Sequence, residues 1–190
     1  MSTDPREDQS LTDCAKAQLR TKLIRNRVQD FCHLFVTGAL PDIILDTCFV
    51  PEDPHIIEHG PSWAATMLPY LGISRGRQGM VSDHGIKTCD EYFATLGGIL
   101  AFHPDEHTIP HPSQFIIDPG SGLDNHGGAA VVKVICTIST ASKSHEWTEQ
   151  FIFMFDSFDG DCRIGRLQIW ADALSAWSAV AGMGGLPGLA

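Results

Sequence analysis

The stretch from His145 to Val180, HEWTEQFIFMFDSFDGDCRIGRLQIWADALSAWSAV, constrains the fold most tightly. It reads as two antiparallel strands around a turn at Asp159-Gly160-Asp161, followed by a short helix, because an Asp-Gly pair between strand-like runs is a strong hairpin signal. Side chains alternate along a strand with period two, so Trp147, Glu149, Phe151, Phe153 and Phe155 share one face. After the turn, Arg166, Gln168, Trp170 and Asp172 share a face, and Leu167, Ile169 and Ala171 take the other. Glu149 among four aromatics and Asp172 beside Trp170 are carboxylates in apolar settings, where a charge is costly unless paired, neutralised or used. The structural alternative for Glu149 is a bond to Arg166 or Gln168 across the hairpin.

The rest of the chain supplies helices ahead of this sheet. A helix is expected from Ser10 or Thr12 to Thr37, with Leu19, Leu23, Ile24, Val28, Phe31, Leu34 and Phe35 as its apolar stripe and Gly38 as its stop. Residues 1–9 are expected to be disordered. Pro41 and Asp42 open a second helix through Cys48, and Pro51 and Pro54 end it. Residues His55 to Pro61 predict a short edge strand that delivers His59 to a turn, and Trp63 and Tyr70 lie in the apolar loop beyond. Asp90 to Phe102 carries a third helical stripe, with Gly97 and Gly98 implying close packing against a neighbour. Val131 to Thr140 reads as a central strand. Residues 103–130 form a long insertion with a strand at Gln114 to Ile117, the residues from 181 form a Gly-rich tail, and 10–180 make one domain.

Helices first and strands after predict an α+β class, a cone-shaped curved antiparallel sheet wrapped by the N-terminal helices. Such a cone leaves an apolar pocket where small ligands bind.

Charge and motif content narrow the function. The net charge of −10 argues against nucleic acid or an anionic membrane as partner. No apolar run approaches the ~20 residues of a membrane span, and the polar N-terminus predicts a cytoplasmic protein. Six scattered cysteines without a CxxC pair read as reduced, buried residues. His103, His107 and His111 recur at a spacing of four, but the prolines around them break any shared helix face, so no metal is expected. No Gly-rich phosphate loop is present, so no cofactor is expected either.

Three pieces resemble the nuclear transport factor two-like (NTF2-like) fold, and within it the SnoaL-like polyketide cyclases and ketosteroid isomerases, over residues 12–178. Ile57-Glu58-His59-Gly60-Pro61 stands where ketosteroid isomerases carry a Glu-Asp-Pro sequence with the general base. Gly76-Arg77-Gln78-Gly79 with Tyr92-Phe93 is similar to that family's entry to its third helix. The turn Asp161-Cys162-Arg163-Ile164 leading to Trp170-Ala171-Asp172-Ala173-Leu174 resembles the end of the SnoaL-like last strand, whose Asp is the catalytic acid/base. The resemblance implies a cofactor-free cyclase, isomerase or dehydratase of fungal secondary metabolism, acting on a hydrophobic polyketide- or terpenoid-like molecule. His59, Asp172 and Glu149 would be catalytic, with His59 and Asp172 facing each other across one pocket. Trp63, Tyr70, Tyr92, Trp147, Gln168 and Trp170 would bind substrate. His59 stands where the family has Asp, and a loop histidine beside a Gly-Pro turn is the alternative. Apolar outer faces on such sheets often pair two subunits, so a homodimer is expected. The reading from another class is a non-catalytic binding or dimerisation module, and a metal-dependent hydrolase using the insertion histidines is a third.

Overall fold

The computed structural model describes residues 5–77, 86–120, 127–142 and 145–182, with side chains from residue 13 onward. Helix α1 spans Pro5–Val36. It starts earlier than the apolar stripe predicted and takes in residues 5–9, because proline is well tolerated in a helix's first turn. Its stop is a Schellman arrangement: Gly38 takes φ +66°, its N–H meets Phe35 O, and the Ala39 N–H reaches back to Leu34 O at 3.0 Å. The buried stripe is Ile24, Val28, Phe31 and Phe35; Leu19 and Leu23, expected in it, lie exposed, and Leu23 is on a different side of the helix from its buried neighbour Ile24.

Helix α2 follows at Pro41–Cys48, then strand β1 at His55–His59, a 3₁₀ turn at Ser62–Thr66 and β2 at Gly72–Arg75. Helix α3, Cys89–Ile99, starts from a capping box in which Thr88 Oγ1 accepts from Glu91 N and Glu91 Oε2 accepts from Thr88 N. It ends three residues before the expected Phe102, where β3 (Leu100–His103) begins. The insertion holds a 3₁₀ turn at Pro112–Gln114 and β4 at Ile116–Asp118; residues 121–126 lie outside the described residues. The long strands are β5 (Ala129–Thr140), β6 (Glu146–Phe158) and β7 (Ile164–Trp170), and α4 (Ala173–Val180) follows. Gly182 is the last described residue of the expected tail.

The strands form one curved, unclosed sheet in the order β2-β1-β7-β6-β5-β3, with β4 also on β5. The expected β5–β6–β7 antiparallel core is present. Irregular pairing from Phe155 to Phe158 bends the sheet near its turn, where Gly165 lies so close to Ser157 that a Cβ would meet its Oγ at 2.7 Å. Two expectations need correction. The sheet is mixed, because β1 pairs in parallel with β7, and β1 is therefore interior, with β2 at the edge.

The concave face is aromatic. Phe31 of α1 meets Phe153 and Phe155 edge-on at 5.5 and 5.4 Å, and Phe35 meets Phe151 and Phe153. Direct cross-strand partners share a face, so Phe155↔Leu167 and Phe153↔Ile169 put Leu167 and Ile169 inside. Met154↔Gln168 and Ile152↔Trp170 put Gln168 and Trp170 on the outer face, opposite to the inward side assigned to them with Asp172. Gly97 and Gly98 do not pack closely: a Cβ on either meets nothing within 4 Å.

Candidate active site

The alternation of β1 decides what enters the concave side. Ile56 and Glu58 are buried, and Ile57 and His59 face the other way. On β6 the same rule buries Glu149 with Phe151. The two carboxyls line one small cavity with Tyr70, Leu71, Trp147 and Ala176. Its volume is about 10 Å³, the space of roughly one water molecule. Leu100, Ile138 and Phe151 make its walls apolar.

Glu58 has a different setting from Glu149. Tyr92 of α3 donates its hydroxyl to Glu58 Oε2 at 2.6 Å. Burial pushes the Glu58 carboxyl up to about 8; the Tyr92 bond opposes the rise and the negative charge of Glu149 adds to it. Glu149 accepts from Trp147 Nε1 at 3.1 Å, Gln150 N at 2.9 Å and Asp172 N at 3.0 Å. Burial raises its carboxyl as well, and the three N–H donors hold it back. Three donors suit an anion, whereas Glu58 with one hydroxyl partner is suited to the neutral acid near pH 7. Burial and the two carboxylates push the Tyr70 hydroxyl above its usual range, and burial with Glu58 does so for Tyr92, so both stay protonated donors.

The residues singled out from the sequence separate into two groups. Glu149, Tyr70 and Trp147 line the cavity, and Tyr92 stands behind Glu58. His59 and Asp172 border the cavity, but their polar side-chain atoms are engaged elsewhere. His59 Nε2 bonds Gln168 Oε1 at 2.9 Å, and the ring stacks on Trp170 at 4.3 Å with 5° between planes, on the outer face. Asp172 caps α4: its Oδ1 accepts from Leu174 N and Ser175 N, and its Oδ2 from Ser175 Oγ. The two side chains therefore do not face each other across the pocket; only the Asp172 backbone N–H reaches Glu149. Trp63 is largely exposed and meets Trp177 edge-on at 5.4 Å. Arg166 and Gln168, the alternative partners of Glu149, both bond Asp156 instead.

Glu58 is the residue that sequence reasoning passed over. Its signal is the period-two alternation in His55-Ile56-Ile57-Glu58-His59: if Ile56 is inside, so is Glu58. The insertion histidines do not converge, since His103 bonds Ser139 while His111 bonds Ser113 and His107 lies beside Glu106. Among the described residues no group of three or more His, Cys, Asp or Glu is placed to hold a metal ion. No helix among them is long and apolar enough to cross a membrane.

No protein-family model matches the sequence, and no curated protein matches it significantly. Solved structures do. An NTF2-like protein from Burkholderia xenovorans superposes with a TM-score of 0.53 at 13% identity, covering 84% of this chain and 97% of that one. PrhC from Penicillium brasilianum gives a TM-score of 0.56 at 11% identity, over 86% of this chain and 91% of PrhC. TerC, co-crystallised with polyporic acid, gives 0.52 at 14% identity, over 84% of this chain and 98% of TerC. With four helices among the described residues and a curved sheet whose concave face holds the cavity, this chain has the NTF2-like fold.

Proposed function

We propose that the chain is an acid–base enzyme, a cyclase, isomerase or dehydratase, acting without a cofactor on a hydrophobic polyketide- or terpenoid-like molecule. The observation that carries the reading is the pair of buried carboxyls, Glu58 and Glu149, in one apolar cavity with unequal hydrogen bonding. Two carboxyls in different settings take different roles at one pH. Glu149, held as an anion by three N–H donors, removes a proton from carbon next to a carbonyl. The C–H electron pair moves into a carbon–carbon double bond, and the carbonyl oxygen becomes an enolate. Neutral Glu58, oriented by Tyr92, and the Tyr70 hydroxyl donate hydrogen bonds to that oxygen. Reprotonation at another carbon completes an isomerisation; attack of the enolate carbon on an electrophilic carbon completes a cyclisation. The co-crystallisation of TerC with polyporic acid supports a small organic ligand for this fold. His59 and Asp172 act here as positioning residues, through the outer-face stack and the α4 cap.

The test is deuterium uptake from D₂O at the carbon between the carbonyls of apolar 1,3-diketones such as benzoylacetone, followed by mass spectrometry. Acceleration by wild-type protein and its loss in Glu149→Gln are expected. Equal rates with and without protein across the series would overturn the reading.

A non-catalytic module is the second reading, favoured by the cavity's volume of about 10 Å³. It predicts no exchange in any variant. In either reading two subunits pair through the outer face, where Ile73, Ile135, Ile152 and Trp170 are exposed.

A further inference from the structure

A second hollow, of about 300 Å³, opens between the end of α1, α2, α3 and β3. That volume falls at the lower end of small-molecule sites, about 300–1,000 Å³. Phe35, Phe93 and Phe102 line it, beside Ile44, Leu96 and Gly97. Two features tie it to the carboxyl cavity, and a third keeps it open. Leu100, buried at the start of β3, lines both spaces and so forms the partition between them. Phe102 on the hollow's side and Phe151 on the cavity's side stand 6.0 Å apart, ring to ring. Finally, α3 carries Gly97 and Gly98 in its last turns, although glycine weakens a helix interior. Neither has the positive φ that would require glycine, and a Cβ on either meets open space. Neither backbone conformation nor close packing therefore explains them. Gly97 lines the hollow, and its lack of a side chain leaves that wall open.

From these observations we infer that the hollow is the binding chamber for the apolar, uncharged aromatic body of the substrate, whose carbonyl end reaches Glu58 and Glu149 past Leu100. This rests on the acid–base reading for the role of the carboxyls, but the chamber itself is tested separately. The rings of Phe35, Phe93 and Phe102 favour a flat aromatic partner in tilted or offset contact. Among the described residues no charged side chain lines the hollow, which disfavours an ionic ligand. Displacement of the Leu100 side chain joins the two spaces into one elongated site.

The probe is Prodan, a neutral naphthyl ketone whose emission shifts to the blue in apolar surroundings. Wild-type protein should bind it with such a shift. Gly98→Ala, whose Cβ meets open space and which does not line the hollow, should bind comparably and serves as the folded control. Gly97→Phe fills the hollow and should weaken binding about tenfold or more. Thr37→Trp, at the opposite, exposed rim, is the second variant, so the outcome does not depend on one substitution folding. Leu100→Ala should bind Prodan at least as tightly as wild type and accept longer diketones in the deuterium assay. Absence of binding to wild type, or wild-type affinity in folded Gly97→Phe and Thr37→Trp, would overturn the chamber. Loss of Prodan binding in those variants, with no protein-dependent exchange, would keep the chamber and remove the acid–base reading. Exchange dependent on Glu149 with Prodan unaffected would do the reverse.

Discussion

Tyr92 and Glu58 share a 2.6 Å hydrogen bond between α3 and β1 where both are buried. The bond joins the helix that walls the larger hollow to the strand that carries the acid. It gives Glu58 a donor without giving it a counter-charge, so the carboxyl stays high, at about 8.

That value makes stability depend on pH. In the folded protein Glu58 keeps its proton up to about pH 8, whereas the unfolded carboxyl loses it near 4.5. The folded state thus binds the extra proton between these values, and stability falls as pH rises through this window and levels off above it. Glu149 is raised too and acts in the same direction. Wild-type Tm should drop by about 10 °C across the window, on the order expected for such a shift in a domain of this size. Glu58→Gln should flatten most of that slope; thermal unfolding at a series of pH values checks it.

Removing the hydroxyl at position 92 should act on the same proton. The Tyr92 bond lowers the Glu58 carboxyl, so Tyr92→Phe should raise it further and move the basic limb of the exchange-rate profile to higher pH. The variant should also lose about 1 kcal/mol of stability with the bond. An unmoved limb would show that Glu58 does not set it.

Glu149→Gln removes the proposed base while keeping a side chain of the same shape. The deuterium exchange rate should fall by about 10²–10⁴, with near-ultraviolet circular dichroism unchanged. A rate within twofold or so of wild type would remove Glu149 from the mechanism.

At Asp172 shape and charge are separable. Asp172→Asn keeps an oxygen for the Leu174 and Ser175 N–H groups and should leave the exchange rate near wild type. Asp172→Ala loses the α4 cap and should cost about 1 kcal/mol, read by thermal unfolding. A large loss of rate in Asp172→Asn alone would give its carboxylate a chemical role.

The outer face carries the prediction about assembly. Trp170→Glu places a charge in the exposed apolar set beside Ile152 and should convert a dimer to a monomer in sedimentation velocity. An unchanged sedimentation coefficient would show that the subunits do not pair through this face.

Local pattern determined much of this protein. The Phe-rich run of β6, the turn at Asp159, the apolar spacing of α1 and the cap of α3 are written in neighbouring residues, and period-two alternation already grouped Glu149 with Phe151, Phe153 and Phe155. Alternation fixes only which residues share a face. Which face turns inward is set by the strand alongside, and β1 meets β7 across more than a hundred residues of chain, in parallel, pairing His59 with Trp170. That distant register sends His59 and Gln168 to the outer surface and Glu58 to the concave side. Neighbours in sequence, Glu58 and His59, thus acquire opposite environments: one is desolvated and protonated near neutrality, the other stacked on an indole. The cost of burying a charge depends on what surrounds it. Local sequence therefore named the carboxyl at Glu149, and only tertiary pairing gave it Glu58 as its partner.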